Sequence, residues 1–513
     1  MALKRDFYKA LEDILGPEYV SDDPAITETY AFPVRKGIAV TPRFEAITLP
    51  NSTEQVQAAI KLCNKYEVQY KASSTGWLYS DPWGPNCVKI DLRRMNKIIE
   101  INEKSLYAVV EPYVVGGQLQ AECMKRGLNC NLTGAGANCS ALPMAAHVNL
   151  GHLSQSGSYG ERNLLALEWV TPDGEIVRLG SLGSIDEWFC GDGPGPSLRG
   201  IVRGNTTPLG GLGVYTKAAQ KLYPWPGPST FPMEGISPKY KPAYVPPGFL
   251  VRYFSFKDLD TMIDAVLKIG EAEIATELMC FNAAMMASNM ATKNMEEEIE
   301  IYNKFRDSVL GPGFMVLIAA NSAGDFEYKK QVLQIIIDEL QGKPLPEVED
   351  PENQGGYIWR YVRETGSIKE TGRVLAPSAG MVGGGDCLPL MSYFIKSCSK
   401  VKEQYIKDGL LFDDGTAPFL QSTEHGHMGH GEVLSRISVK AKDPAAVGNQ
   451  INDASNRIAI TEHFGVPQHV WSDTLHDLYG PHASNYHLWL RKIKKTFDPN
   501  GASESGNYIT VKE

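Results

Sequence analysis

The pattern of apolar and polar residues differs between the first and the second part of the chain. Between Val109 and Gly213, short apolar pieces of strand length alternate with glycine-dense turns. Further on, apolar runs such as FLVRYFSF alternate with stretches of helical period such as LDTMIDAVLKIGE. The first pattern predicts a turn-rich domain and the second a sheet with helices packed on one face. Pro224, Pro226 and Pro228 mark the boundary between them.

Capping and breaking residues predict the ends of several elements. The N-terminal segment MALKRDFYKALEDILG reads as an amphipathic helix, and Asn51 and Ser52 offer N-cap oxygens to a helix that follows a short strand. A helix from Leu390 to about Lys407 leads into a histidine-rich strand region, and the last helix stops at DPNG. The polar segment 343–356, KPLPEVEDPENQGG, is predicted to be a solvated excursion.

Composition places the chain among ordinary soluble proteins of more than one domain. It has 513 residues, of which 43% are hydrophobic and 21% charged. The net charge of −10 and the lack of basic clusters argue against a nucleic-acid partner, and no run of eighteen apolar residues predicts a membrane span. The nine cysteines are scattered without a C-x-x-C pair, which argues against an iron–sulfur cluster on this chain. We therefore predict a cytoplasmic protein with reduced thiols.

The glycine-dense stretch also suits a flat or phosphorylated ligand. Glycine permits positive φ and lets the main chain approach a ligand closely. The N–H groups exposed in such turns are donors for phosphate oxygens. Glycine density alone fits an ordinary turn-rich β domain equally well.

Three segments resemble the flavoprotein family typified by vanillyl-alcohol oxidase. They are LRRMNKIIEINEKSLYAVVEPYVVGGQLQ, then LEWVTPDGEIVRLGS with LGGLGVYTKAAQKLYPWP, and finally FDPNGASESGNYI. The resemblance implies an α+β fold with a bipartite PCMH-type FAD-binding domain and a cap domain whose antiparallel sheet is covered by helices. The implied boundaries are 1–226 for the FAD-binding domain, 227–455 for the cap and 456–513 for a segment that returns to the FAD domain.

The same resemblance implies a set of FAD-binding residues. It assigns this role to Lys71, Ala72, Ser73, Ser74, Thr75, Gly76, Thr133, Gly134, Ala135, Gly136, Ser140, Ala141, Ser158, Tyr159, Gly160, Gly213 and Val214. The loop 71–76 keeps one glycine where the family usually has several. His147 and His152 lie in this stretch, but no histidine stands in the early loop where many covalent members carry one, so we expect non-covalent FAD.

Histidines concentrate in EHGHMGHGEVLS, residues 424–435, and in TEHFG, residues 461–465. These segments resemble the D-2-hydroxyacid dehydrogenase branch, which includes glycolate and D-lactate types and has the pattern G-H-x-G-D-G-N-x-H with a later E-H-G. His427, Glu462 and His463 fall on metal ligands of that pattern, while Leu434 replaces another. A divalent metal at His427 and Glu462 is therefore implied, with His425, His430 or Glu432 as substitute ligands, and a surface histidine run is the alternative.

The resemblance also implies a carboxylate clamp and a reaction. In IWRYVR, Arg363 takes the place of the carboxylate-binding arginine. Hydride would pass from a hydroxyl-bearing carbon, as in a 2-hydroxy acid, to FAD while His427 or His463 removes the hydroxyl proton. Electrons would then reach an iron–sulfur subunit, an electron-transfer flavoprotein or oxygen, and a homo-oligomer is compatible with the chain.

Two other functions stay open at this point. A phenol-type oxidoreductase would use tyrosines such as Tyr357, Tyr361, Tyr393 and Tyr486 to hold a phenolate. A flavin-carrying electron-transfer subunit would have no substrate of its own.

Overall fold

The structure is a computed structural model. It describes residues 5–30, 42–76, 82–134, 136–147, 150–180, 188–189, 197–236, 241–281, 283–291, 293–308, 311–363, 379–411, 418–438, 441–462, 466–467 and 470–511. Within these residues the expected α+β fold is confirmed, with a four-stranded, a six-stranded and two small two-stranded sheets in the first half of the chain and a large antiparallel sheet in the second.

The first sheet has four strands in the order β1-β2-β4-β3. Its strands and helices are α1 (Arg5–Leu15), β1 (Val20–Ser21), α2 (Pro24–Glu28), β2 (Ala46–Thr48), α3 (Thr53–Tyr66), β3 (Gln69–Ser73) and β4 (Cys87–Asp91). Helix α3 begins where predicted because the Ser52 hydroxyl accepts a hydrogen bond from the Gln55 N–H. Strands β2, β4 and β3 run parallel, so the loop after β3 leaves from the carboxyl edge of the sheet.

The second sheet contains six strands. The elements of this region are β5 (Ile98–Asn102), β6 (Tyr107–Val110), α4 (Gly116–Met124), β7 (Leu128–Cys130), β8 (Leu132–Thr133), α5 (Ala141–Ala146), β9 (Gly151–His152), β10 (Leu164–Val170), β11 (Ile176–Leu179), α6 (Arg199–Val202) and β12 (Val214–Pro224). The order is β11-β10-β12-β6-β5, with β7 on β12, and β8 pairs with β9 beside it. The long strand β12 holds the region together, because it pairs with β10, β6 and β7.

The cap contains an eight-stranded antiparallel sheet. Its elements are β13 (Met233–Glu234), β14 (Lys241–Pro242), β15 (Phe249–Ser255), α7 (Leu259–Glu271), β16 (Glu277–Phe281), α8 (Ala283–Met290), α9 (Met295–Ser308), β17 (Gly313–Ala319), α10 (Ala323–Glu339), β18 (Lys343–Pro344), α11 (Pro346–Glu349), α12 (Pro351–Arg363), β19 (Ala379–Asp386), α13 (Leu388–Lys407), β20 (Pro418–Thr423), β21 (Met428–Arg436), α14 (Pro444–Thr461) and β22 (Val466–Pro467). The sheet order is β18-β15-β17-β16-β20-β21-β19-β22.

The two faces of the cap sheet pack against different partners, because side chains alternate along each strand. Leu278, Val316 and Val433 face a core that α7, α10 and α13 close. Met279 and Leu317 face the opposite way, into a core that reaches residues of the first half of the chain. Helices therefore pack on both faces of the cap sheet, and the second face, which α8, α9 and α12 share, also meets the FAD-binding region.

The segment 343–356 was expected to be a solvated excursion, and this expectation is wrong. It contains β18 and α11 and enters α12, and the buried Gln354 exchanges hydrogen bonds with both main-chain groups of Val251. The polar composition gave no sign of this packing, because a single buried amide satisfies the main-chain groups of Val251 in β15, beyond the short pairing of β15 with β18.

The C-terminal segment returns to the first half of the chain. Helices α15 (Ser472–Tyr479) and α16 (Tyr486–Phe497) precede a tail in which Ser503 lies beside Tyr70 of β3. Residue 455, the predicted boundary, lies inside α14, and β22 pairs within the cap sheet; the domain boundaries stay a prediction. No helix in the described ranges is long and apolar enough to cross a membrane.

Candidate functional site: a cofactor cavity and a buried polar network on the cap

A cavity of about 170 Å³ lies between the loop after β3, helix α5 and the start of β12. One part of its wall is hydroxylic: the Ser140 hydroxyl donates to Ser74 Oγ at 2.7 Å and to Thr75 Oγ1 at 3.2 Å. Another part is apolar and includes Leu142, Pro143 and Val214. Hydroxyls and exposed main chain suit phosphate, and an apolar slot suits a flat base.

At Gly213, the main chain itself forms the wall of the cavity, and the structure leaves no room for a side chain there. Its φ is +81°, and an added Cβ would lie 2.3 Å from the Val170 carbonyl oxygen. Ser503 of the C-terminal tail fixes the loop, since its hydroxyl accepts from the Gly213 N–H and donates to the Gly210 carbonyl, both at 3.0 Å. The main chain can therefore approach a ligand at this point.

Eight of the predicted FAD-binding residues line this cavity, namely Ala72, Ser73, Ser74, Thr75, Gly76, Ser140, Gly213 and Val214. The residues present thus fit an adenosine diphosphate group, although the loop lacks the family's usual glycines. Lys71 is not brought there: its buried ammonium pairs with Glu504 at 2.6 Å.

The other predicted FAD-binding residues lie elsewhere around the site. Thr133 belongs to β8, Gly134 and Gly136 lie in the connection that follows, and Ala141 begins α5. Ser158, Tyr159 and Gly160 lie where the first half of the chain meets the cap. Ala135 lies outside the described residues. The FAD-binding role of all these residues stays a prediction.

His147 also lines the cavity and is buried, with 5% of its surface exposed. Neither ring nitrogen has a hydrogen-bond partner among the described residues. Burial is the larger effect on the pKa of His147 and lowers it to about 4, while the nearby main chain of Gly204 raises it, although that approach does not meet hydrogen-bond geometry. The ring is therefore neutral at pH 7.

A buried polar network lies on the cap face that meets the FAD-binding region. His430 and Glu432 are two residues apart on β21, so their side chains share a face, and His430 Nε2 lies 2.9 Å from Glu432 Oε1. His430 Nδ1 lies 2.8 Å from the hydroxyl of Tyr159. With Glu432 ionised, Nε2 carries the proton donated to it, and Nδ1 accepts from Tyr159.

Burial differs along this network. Tyr159 and His430 are inaccessible, whereas 9% of the Glu432 side chain is exposed. Burial raises the pKa of Tyr159 well above its usual value, with further raising by Glu161 and Glu432. Burial also raises the pKa of the neighbouring Glu161 carboxyl. Glu432 is thus the most exposed of the three side chains.

The glycines of β19 leave room for this arrangement. Gly385 pairs with His430 and Gly383 with Glu432 in the sheet register. A Cβ on Gly385 would lie 2.7 Å from the Tyr159 hydroxyl. Because Gly385 has no side chain, the Tyr159 hydroxyl can lie close to the main chain of β19.

Two cap carboxylates join the cap to the loop 151–159. Glu277 accepts from the main-chain N–H of Leu153 at 2.6 Å, from Ser154 Oγ at 2.8 Å and from Gln421 Nε2 at 3.0 Å. Glu424 accepts from the Tyr159 N–H at 3.2 Å. Both contacts fix the loop that carries Tyr159.

The predicted catalytic and metal residues lie in different elements, and only two of their side chains are described. His427 is exposed at the end of a 3-10 turn, and Glu462 is exposed beside the Tyr393 hydroxyl, 3.1 Å away. Arg363 ends α12 and nothing is described of its side chain, while His463 lies outside the described residues. Among the described residues, no three histidine, cysteine, aspartate or glutamate side chains converge as metal ligands. The metal and these catalytic roles stay predictions.

Sequence reasoning named His430 and Glu432 as substitute ligands and missed their shared contact with Tyr159. It also missed Arg436, whose guanidinium pairs with the buried Glu298 at 2.6 Å on the same strand face. Alternation along MGHGEVLSR was the available signal, because His430, Glu432 and Arg436 fall at even spacing.

Comparisons with known proteins agree with this architecture. Residues 44–180 match the family model described as "FAD binding domain". The chain is 30% identical over 235 residues to 1'-carboxy-chondrochloren decarboxylase of Chondromyces crocatus, covering 42% of this chain and 40% of that protein. It is 29% identical over 194 residues to the flavoprotein subunit of 4-cresol dehydrogenase [hydroxylating] of Pseudomonas putida, covering 35% of each. These two matches therefore span less than half of either relative.

Two further matches extend over nearly the whole chain. An uncharacterized FAD-linked oxidoreductase of Mycobacterium tuberculosis (strain H37Rv) is 25% identical over 508 residues, which cover 96% of this chain and 97% of that protein. The solved structure of 4-ethylphenol oxidase from Gulosibacter chungangensis has a TM-score of 0.74 at 19% identity and covers 98% and 97% of the two chains, which shows a shared fold. The resemblance seen in the sequence is confirmed at this level: residues 44–180 match an FAD-binding domain, and nearly the whole chain is similar to an FAD-linked oxidoreductase.

Proposed function

We propose that the protein is an FAD-dependent oxidoreductase that oxidises a hydroxyl-bearing carbon of a small substrate. The observation that carries this proposal is the buried Tyr159–His430–Glu432 network beside the FAD-binding region. FAD, when bound, accepts the hydride. The cavity residues Ser74, Thr75 and Ser140 would hold its pyrophosphate, and we expect the cofactor to be non-covalent.

Glu432 is the base in this proposal. Its carboxylate takes the proton of the substrate hydroxyl as the carbon becomes a carbonyl. His430 holds that carboxylate through Nε2–H, and Tyr159 holds His430, so both are positioning residues. The raised pKa of Tyr159 supports this division, because burial disfavours the phenolate that a tyrosine base would become.

Replacing Glu432 tests the proposal. Glu432→Gln keeps the size and the contact with His430 but lacks the base, so substrate-dependent reduction of the flavin should slow by about 10²- to 10⁴-fold with FAD affinity unchanged. His427→Gln is the matched control and should reduce at the wild-type rate. Equal rates for Glu432→Gln and the wild type would exclude Glu432 as the base. Slow flavin reduction in His427→Gln would instead support His427 as the base, as the sequence resemblance implied.

For the substrate, we propose a 2-hydroxy acid on the strength of the sequence resemblance to that branch. A specific observation favours a second candidate, a phenol-type substrate. On the Glu432 face, Arg436 is already neutralised by Glu298, and the adjoining core contains Phe419, Tyr361 and Met279. A wall of this kind suits an aromatic ring better than a second carboxylate.

A substrate panel separates the two candidates. D-Lactate and glycolate are mixed anaerobically with the oxidised protein in one series, and 4-alkylphenols in another, while flavin bleaching is followed. Bleaching by hydroxy acids supports the first candidate, and bleaching by phenols alone would replace it with the second. No bleaching by any compound would favour an electron-transfer subunit without its own substrate.

The electron acceptor and the compartment are part of the same proposal. We propose a separate protein acceptor, either an iron–sulfur subunit or an electron-transfer flavoprotein, and a cytoplasmic location. The eight described cysteines are free thiols, seven of them buried, which suits a reducing compartment. Slow reoxidation by oxygen after substrate reduction would support a protein acceptor, and rapid reoxidation would favour oxygen. Equal metal content in the wild type and in His427→Ala would remove the predicted metal ligand.

A further inference from the structure

His147 is a buried polar residue whose ring makes no hydrogen bond within the part of the chain that the structure describes. Its two ring nitrogens lack hydrogen-bond partners within the described residues, although only 5% of the side chain is exposed. Leaving a buried donor or acceptor unpaired costs about 1–3 kcal/mol, so such groups are rare and call for a cause. An apolar residue of similar size would avoid that cost.

The surroundings of His147 point to a ligand as the cause. The side chain lines the cavity between α5 and β12. The other hydroxyls at this end are engaged, since Thr207 and Tyr215 both donate to the Val202 carbonyl, at 3.1 and 3.0 Å. The imidazole of His147 can therefore form hydrogen bonds with a ligand in the cavity.

The charge state narrows the chemistry of that ligand. Burial lowers the pKa of His147 to about 4, so the ring at neutral pH has one N–H donor and one acceptor nitrogen. A neutral ring adds no charge to a pyrophosphate, but it matches groups that both donate and accept, such as an adenine edge or ribose hydroxyls. The apolar slot of Leu142, Pro143 and Val214 in the same cavity suits the face of a purine.

We propose that His147 recognises the adenosine half of FAD through hydrogen bonds from its neutral ring. This inference rests on the proposed function, because it requires that the chain binds FAD. It assigns to His147 a role in binding and specificity rather than covalent attachment.

The proposal predicts effects of opposite sign on stability and on binding. His147→Leu removes two unpaired nitrogens from the flavin-free protein, so its melting temperature should stay equal or rise. The same change leaves the adenosine without a partner, so the dissociation constants of FAD and of ADP should both rise by about 10-fold. His147→Gln keeps a donor and an acceptor and should restore part of the affinity. A merely structural histidine would instead lose stability and keep its affinity.

His476 is a matched control. It is also buried, and its pKa is also lowered to about 4, but its Nδ1 lies 2.8 Å from the Tyr486 hydroxyl. His476→Leu should therefore lower the melting temperature and leave ADP affinity unchanged. If that variant does not fold, Met262→Leu in the core of the cap serves as the control for side-chain replacement and should leave the affinities for FAD and ADP unchanged.

The experiment uses the full chain produced under riboflavin limitation, titrated with FAD, ADP and FMN by calorimetry. Weaker binding of FAD and ADP by His147→Leu, with FMN unaffected, supports the proposal. Wild-type affinity for both in His147→Leu would overturn it while the proposed function stands. Failure of the wild-type chain to bind FAD would remove the proposed function itself, so the two failures are distinguishable.

Discussion

At the scale of single residues, alternation along one strand explains half of the candidate catalytic network. His430 and Glu432 share a face of β21 because side chains repeat every two residues, and this much follows from the sequence. Tyr159 is 271 residues away from His430 along the chain, and the sequence carries no local signal for that contact. Gly385 leaves the space that the Tyr159 hydroxyl needs, since a Cβ at this position would clash with that hydroxyl.

Gly385→Ala should therefore damage both the fold and the site. The added Cβ would lie 2.7 Å from the hydroxyl oxygen and 2.9 Å from Cζ of Tyr159, a rigid ring that cannot bend away. We expect a loss of about 1–3 kcal/mol in unfolding free energy, as for other overpacked sites. Displacement of Tyr159 should also slow substrate-dependent flavin reduction by about 10-fold or more, by analogy with the loss of one buried hydrogen bond.

Gly356→Ala in α12 is the control for that change. No atom lies within 4 Å of its ideal Cβ, so alanine should stabilise the helix or leave it unchanged. Thermal unfolding and stopped-flow reduction of both variants would check the comparison. A Gly385→Ala protein with wild-type stability and rate would mean that Tyr159 does not need its present position.

At the scale of elements, local signals predicted the helices and strands well and the docking of polar segments poorly. Ser52 caps α3 and a DPNG turn follows α16, as expected from local chemistry. The segment 343–356 failed because Gln354 is buried by tertiary contacts that composition does not encode. The end of the chain is similar: Lys494 of α16 and Asp498 and Glu504 of the tail are all buried.

The ion pair between β3 and this tail gives a test of that docking. Lys71 and Glu504 are almost inaccessible and 2.6 Å apart. Glu504→Leu leaves the ammonium buried without its carboxylate and should cost about 3–5 kcal/mol, as should Lys71→Met. The double variant removes both charges and should be much more stable than the sum of the single losses predicts.

Urea unfolding of the two single variants and the double variant would measure this coupling. Glu339→Gln, at the exposed pair with Lys268, is the control and should change stability by at most about 1 kcal/mol. Additive losses in the double variant would contradict a direct pair. Because β3 leads into the loop 74–76, weaker FAD binding should accompany the loss of stability in each single variant.

At the scale of the whole molecule, the contact between the cap and the FAD-binding region consists largely of hydrogen bonds that involve main-chain groups of both regions. The loop 151–159 meets the cap segment 421–425 through the Gln421 side chain, the Ser422 carbonyl and the His425 N–H. Glu277 lies at the centre of this contact and is fully buried. Since these segments are separated by roughly half of the chain, the sequence predicts the two regions but not the contact between them.

Glu277→Gln should uncouple the two regions. The carboxylate accepts from Leu153 N, Ser154 N and Oγ, Leu278 N and Gln421 Nε2, whereas an amide has one oxygen and turns its NH₂ toward these donors. Each orphaned donor costs about 1–3 kcal/mol, so scanning calorimetry should show a lower melting temperature and a transition that splits into two. Glu122→Gln, the same change of charge on the exposed face of α4, should melt like the wild type. A single transition at the wild-type temperature in Glu277→Gln would mean that the remaining main-chain contacts suffice to hold the cap, and that Tyr159 is positioned without help from this carboxylate.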